Sequence, residues 1–127
     1  MPLNLTLNDA KPIEAEDDPL GRSWVGYHRE MVDEDVFEQN RGMWVLGKAA
    51  HAERYATFAY AGTVVAVAEI REIETLPWPR PDTRRPKQAL RGRVLAKGEA
   101  AYDQWIGRSV PVHRNPVGYL GTPPSAT

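Results

Sequence analysis

Tyr55-Ala-Thr-Phe-Ala-Tyr-Ala-Gly-Thr-Val-Val-Ala-Val-Ala-Glu-Ile70 decides the fold class. Two runs rich in β-branched and aromatic residues, 55–60 and 63–70, flank the dipeptide Ala61-Gly62. A glycine in a two-residue connection between such runs predicts a tight β-hairpin. The second run keeps its alternation through Arg71-Glu-Ile-Glu74, so its strand is expected to continue that far.

Downstream, Leu76 to Pro86 holds four prolines and the adjacent Arg84 and Arg85, and reads as a loop. Ala89 to Lys97 suits another strand, broken by Gly98. Glu99 to Ile106 predicts a short helix burying Tyr102 with Trp105 or Ile106, and Gly107 stops it. Ser109 to Val112 is an extended piece, His113 to Leu120 closes the domain, and 121–127 reads as a disordered tail.

Upstream, Lys48 to Arg54 suits a short helix and Met43 to Leu46 a short strand. In Glu30 to Asn40, the spacing of Val32, Val36 and Phe37 predicts an amphipathic helix. Asp33-Glu34-Asp35 lies near its start, where acids favour the positive end of the helix dipole. Gly42 is placed to end that helix as a left-handed cap. Arg22 to His28 predicts a strand weakened by Gly26. Residues 1–20 are acidic and hold three prolines, and they read as a flexible arm. The expected architecture is α+β: a small curled mixed β-sheet or β-barrel with two or three short helices, forming a single domain over 21–120.

The chain has 127 residues and a net charge of −1 that conceals a dipole. Residues 1–40 hold ten acids and three bases, which gives −7; residues 41–127 hold seven acids and thirteen bases, which gives +6. Asymmetry of this kind points to a partner or to mutual neutralisation within the fold. There are no cysteines, which excludes a disulfide framework, a thiol nucleophile and a cysteine zinc site. The longest nearly apolar run, Thr63 to Ala68, is too short to span a bilayer. With no basic-then-apolar leader at the N-terminus, a cytoplasmic location away from membranes is expected.

No glycine-rich phosphate loop and no paired-histidine metal motif is present. His28, His51 and His113 are far apart in sequence, and neither Ser23 nor Ser109 sits in a nucleophile elbow. Glu72 and Glu74 share a strand face, but nothing there gives them separated pKa values. The expectation is therefore a non-catalytic module without cofactor or metal. What remains is aromatic and basic: four tryptophans and five tyrosines, several beside arginine or lysine. Rings next to cations suit a flipped or single-stranded base, and equally suit arginine stems lying over buried rings.

The order of motifs resembles small bacterial PUA-like domains, the group that includes EVE and ASCH relatives. Arg41-Gly-Met-Trp-Val-Leu-Gly-Lys-Ala-Ala50 leads into the hairpin; a strand with Arg91 and Arg93 follows; Arg114-Asn-Pro-Val-Gly-Tyr-Leu120 closes the chain. The match covers about 36–120, and the acidic N-terminal region lies outside it. The resemblance implies a small barrel or curled mixed sheet that recognises a modified nucleotide or nucleic acid in an aromatic and basic pocket. Carried over by position, and extended by the aromatic–basic pairs, the site residues are Trp24, Arg41, Trp44, Lys48, Arg91, Arg114, Asn115 and Tyr119. Asn115 suits a base edge and Trp44 a stacked base. The competing reading is a protein-interaction or inhibitor protein, phage- or defence-linked, that docks through acidic residues of 9–38.

Overall fold

The computed structural model describes residues 2–13, 20–42, 44–76, 87–112 and 114–121. Residues 14–19, nearly all of the predicted loop of 76–86 and of the predicted tail of 121–127 lie outside the described residues, as do Met1, Met43 and His113. The predicted hairpin is its centre. Strand β4 (Tyr55–Tyr60) turns through Ala61 and Gly62 into β5 (Thr63–Thr75). Both turn residues have positive φ, 50° and 83°, the backbone a two-residue hairpin connection needs to follow the strand twist. Strand β5 runs the full length anticipated for it and pairs antiparallel with β6 (Gln88–Val94).

The five-stranded sheet has the order β6-β5-β4-β1-β7. Its fourth member, β1, is Leu3–Leu7, and β7 is Val117–Tyr119. For residues 2–13 this corrects the reading of 1–20 as a flexible arm; the rest of that arm, apart from Leu20, lies outside the described residues. Leu3, Leu5 and Leu7 alternate, so they project to one face of the strand and fill the core, with Leu3 and Leu5 at 0% exposure. Strand β1 runs parallel to β4 (Leu3 opposite Ala56 through Leu7 opposite Tyr60) and antiparallel to β7. A parallel neighbour requires a long crossover. Residues 8–54 supply it, carrying the ribbon of β2 (Lys11–Pro12) and β3 (Trp24–Val25), helix α1 (Asp33–Asn40) and a 3-10 helix (Lys48–Ala52). The predicted strand over 22–28 is thus only two residues of ladder, and the strand over 43–46 reduces to a bridge between Trp44 and Gln88. The architecture is α+β with a mixed sheet, as expected; among the described residues the sheet is open, with no pairing between β6 and β7 to close a barrel.

Alternation along β4 and β5 divides the interior in two. Ala56, Phe58, Ala66 and Ala68 join the β1 leucines beneath Val36 and Phe37 of α1, where Phe37 meets Phe58 edge-on. The intervening Val67 points the other way, into a smaller cluster with Leu95, Leu120, and Ala101 and Trp105 of α2 (Ala100–Trp105). Asn4 and Thr57 are also buried opposite the main core, and the Thr57 hydroxyl donates to Asn4 Oδ1 at 2.7 Å.

Helix α1 ends through Arg41 in the right-handed region, and Gly42 does not take the left-handed conformation predicted for it. Space explains that glycine: a Cβ would lie 2.1 Å from Leu20 Cδ1 and 3.2 Å from Ala89 Cβ. Gly92 is fixed more severely. A β-bulge between Ile70 and Glu72 brings the Glu69 carbonyl oxygen within 1.9 Å of where a Gly92 Cβ would stand. A backbone atom cannot swing aside as a side chain does. Gly92→Ala is therefore expected to cost about 2 kcal/mol, read as a lowered urea midpoint at unchanged slope. An unchanged midpoint would show that the bulge yields freely.

Candidate ligand-binding cavity

A cavity of about 410 Å³ opens where the end of β1, the β2–β3 ribbon and the end of α1 meet. Its position follows from how α1 is terminated. The last turn of a helix leaves carbonyl oxygens without intrahelical donors. Here side chains supply them. The Arg22 guanidinium, on a residue only 8% exposed, donates to the Gln39 carbonyl at 2.8 Å and reaches the Gly42 carbonyl at 3.4 Å. Trp44 Nε1 donates to the Asn40 carbonyl at 2.7 Å. The backbone of Trp44 also exchanges two hydrogen bonds with Gln88, at 3.0 and 2.7 Å. The half-buried indole is held from both ends and forms one wall.

Asn40 clasps the opposite wall to the helix. Its Oδ1 accepts from the Gly26 amide at 2.9 Å, and its Nδ2 donates to the Gly26 carbonyl at 2.8 Å and to the Val36 carbonyl at 3.0 Å. Gly26 has φ +101°, and a Cβ there would lie 2.5 Å from the Asp9 carbonyl oxygen. Only glycine lets the ribbon approach β1 this closely while satisfying both hydrogen bonds to Asn40. The Tyr27 amide then donates to the Asn8 carbonyl at 3.0 Å, which fixes the ribbon to the chain leaving β1.

The lining is chiefly apolar, with Leu7, Ile13, Val25 and Pro116 joining Trp44. Asp9 and Lys11 are exposed and line the same cavity, so an acceptor and a donor stand two residues apart on one segment. The Tyr60 hydroxyl donates to the Asp9 carboxylate, and its ring lies 4.8 Å from that of Tyr27. That hydrogen bond, with desolvation second, pushes the Tyr60 phenol above its ordinary value.

The residues anticipated from sequence divide between places. Trp44 lines the cavity. Arg41 and Arg91 meet in a second, polar depression of about 310 Å³, where each faces a carboxylate. Arg41 lies 3.8 Å from Glu38 and donates to the Leu90 carbonyl at 3.2 Å, and Arg91 lies 3.4 Å from Glu74. Trp24 is half-buried against the main core, its ring 5.5 Å from that of His28. Lys48 is exposed at the start of the 3-10 helix. Arg114 is exposed, and Asn115 Oδ1 accepts from the Val117 amide at 3.0 Å in a turn. Tyr119 in β7 packs on the main core, and burial, followed by the Glu53 carboxylate, raises its phenol pKa. Asn115 and Tyr119 are not among the cavity's lining residues, although their neighbour Pro116 is. Sequence reasoning missed Asp9, Lys11, Arg22 and Asn40. The first two fell in the supposed arm; Asn40 was visible only as part of a helix end.

Among the described residues no group of three histidine, aspartate or glutamate side chains is placed to hold a metal ion. No helix of the described residues is long and apolar enough to cross a membrane. No family model, curated protein or solved structure matches the chain.

Proposed function

We propose that this cavity binds a planar heteroaromatic ligand, a nucleobase or modified nucleobase, and that the protein is a non-catalytic recognition module of PUA-like type. The observation that carries the reading is the fixed Trp44 wall of a cavity of about 410 Å³. That volume falls within the range of small-molecule sites, and an indole locked before binding loses little freedom on stacking. Asp9 and Lys11 at the cavity supply an acceptor and a donor for a base edge. The motif order from Arg41 to Leu120 supports the PUA-like assignment.

The test is titration of plain and modified nucleosides against the full chain, followed by tryptophan fluorescence and calorimetry. Base–aromatic stacking contributes about 1–3 kcal/mol, so Trp44→Ala is expected to weaken binding by about 5- to 150-fold. Lys11→Ala should weaken it severalfold. If no nucleoside binds, or Trp44→Ala binds as the wild type does, the proposal fails.

A further inference from the structure

A second cationic feature lies away from the cavity, on the sheet. Glu69 of β5 has a side chain only 20% exposed, and three guanidinium groups close on its carboxylate. Arg54 Nη2 lies 3.8 Å from Oε2, while Arg71 Nε and Arg93 Nε each lie 3.6 Å from Oε1. These separations are ion pairs rather than hydrogen bonds. Among the described residues, Arg93 is also tied elsewhere, donating to Glu99 at 2.6 Å. Three arginines against two glutamates leave the group positive, and the arginine side chains are 72%, 64% and 44% exposed.

The backbone is built to make this convergence. The bulge leaves Arg71 unpaired between Ile70 and Glu72, and the missing Gly92 side chain lets the Glu69 carbonyl press against β6. Bulges of this kind redirect side chains. Arg71 here reaches the same carboxylate oxygen as Arg93 of the neighbouring strand. Arg54 stands over the Tyr55 ring, 5.4 Å from its centre. The three arginines leave the chain at or beside three adjacent strands, so their ends can fan over roughly 10 Å, two strand spacings. That reach exceeds one phosphate ion. Guanidinium forks match phosphate oxygens in pairs.

We propose that Arg54, Arg71 and Arg93 form a binding surface for the phosphodiester backbone of single-stranded nucleic acid, with phosphate oxygens replacing the Glu69 carboxylate between the guanidinium groups. The surface stands apart from the cavity and does not depend on base recognition there. Glu69 acts as a built-in competitor: it holds the arginines together in the free protein and opposes the strand.

The experiment is anisotropy titration of a labelled 12-nucleotide oligo(dT) with the full chain at 50 to 200 mM KCl. For single strands each phosphate contact contributes about 0.7 to the slope of log affinity against log salt. The double variant Arg54→Ala/Arg71→Ala should flatten the slope by about 1.4 and weaken binding at least tenfold at low salt. Glu69→Gln should tighten binding severalfold, with a melting curve recorded to confirm folding. Wild-type affinity in the double variant, or weaker binding by folded Glu69→Gln, would overturn the proposal. So would pyrophosphate binding as tightly as the 12-nucleotide strand at matched ionic strength, which would make this a site for a small free oxyanion. Nucleosides carry no phosphate, so their titration reads the cavity alone, and either surface can fail without the other.

Discussion

Removing residues 1–8 is expected to abolish folding. Leu3, Leu5 and Leu7 are at most 4% exposed, and burying each contributes roughly 2 kcal/mol. Their sum alone rivals the lower end of a whole domain's net stability, about 5–15 kcal/mol. The deletion also leaves β4 with an open edge and strands β7, whose partner in the sheet is β1. Three further backbone bonds go with it: from the Leu120 amide to the Pro2 carbonyl at 3.0 Å, from the Thr6 amide to the Pro116 carbonyl at 2.8 Å and from the Tyr27 amide to the Asn8 carbonyl at 3.0 Å. The truncated chain should lose its cooperative thermal transition in circular dichroism. Leu5→Ala, which leaves the pairing intact, should keep the transition and lose about 2–5 kcal/mol. A truncated chain that melts like the full protein would restore the reading of this segment as an arm. The same result decides how the acidic region can be tested as a protein-docking surface. Deletion of 1–20 would remove β1 along with the acids, so charge reversal at exposed Glu34, Asp35 and Glu38 of α1 is the test of docking.

What was legible in the sequence was local. The Ala61-Gly62 hairpin carries its own turn chemistry, and α1 and α2 carry their periodicity and flanking glycines. Strand β1 was also written there, as Leu3-Asn-Leu-Thr-Leu7, a strict alternation. The acids at 9 and 14–18 dominate the composition of the first twenty residues and mask that pattern. Its partner is nonlocal as well: Leu3 pairs with Ala56, and no sequence period relates two parallel strands separated by a crossover. The anticipated site residues lie apart for a similar reason. Arg41 and Trp44 are three residues apart, but the chain bends at the end of α1 and sends them to different depressions. Adjacency in sequence identified a helix terminus and could not identify which side chain faces which wall. Gly42 shows the same limit. A glycine after a helix predicts a left-handed cap, whereas here Gly42 lies close under Leu20 and Ala89, and a Cβ would require the Leu20 side chain to move.

Asn40→Ala is the substitution that tests how the cavity wall is held. Asn40 is 4% exposed and satisfies three backbone groups at once: the Gly26 amide, the Gly26 carbonyl and the Val36 carbonyl. The Val36 carbonyl is within the helix, but both Gly26 groups depend on the side chain to tie the ribbon to α1. Leaving a buried polar group unpaired costs about 1–3 kcal/mol, so two of them predict a loss of about 3–4 kcal/mol in urea unfolding. The Trp44 indole bonds the Asn40 carbonyl, not its side chain, so one wall should stay while the other loosens. Asn40→Asp separates hydrogen bonding from simple packing. It keeps an acceptor for the Gly26 amide but turns a carboxylate oxygen toward two carbonyls. Burial and those carbonyls hold such a carboxyl above its unfolded pKa, so the proton is bound more tightly in the folded state. Stability gained from that proton is present below the unfolded pKa and lost as pH rises through the folded one. Relative to wild type, Asn40→Asp should therefore be nearly as damaging as Asn40→Ala at pH 7 and recover at pH 4. Equal deficits at both pH values would mean that Asn40 fills space and that the clasp on Gly26 contributes nothing.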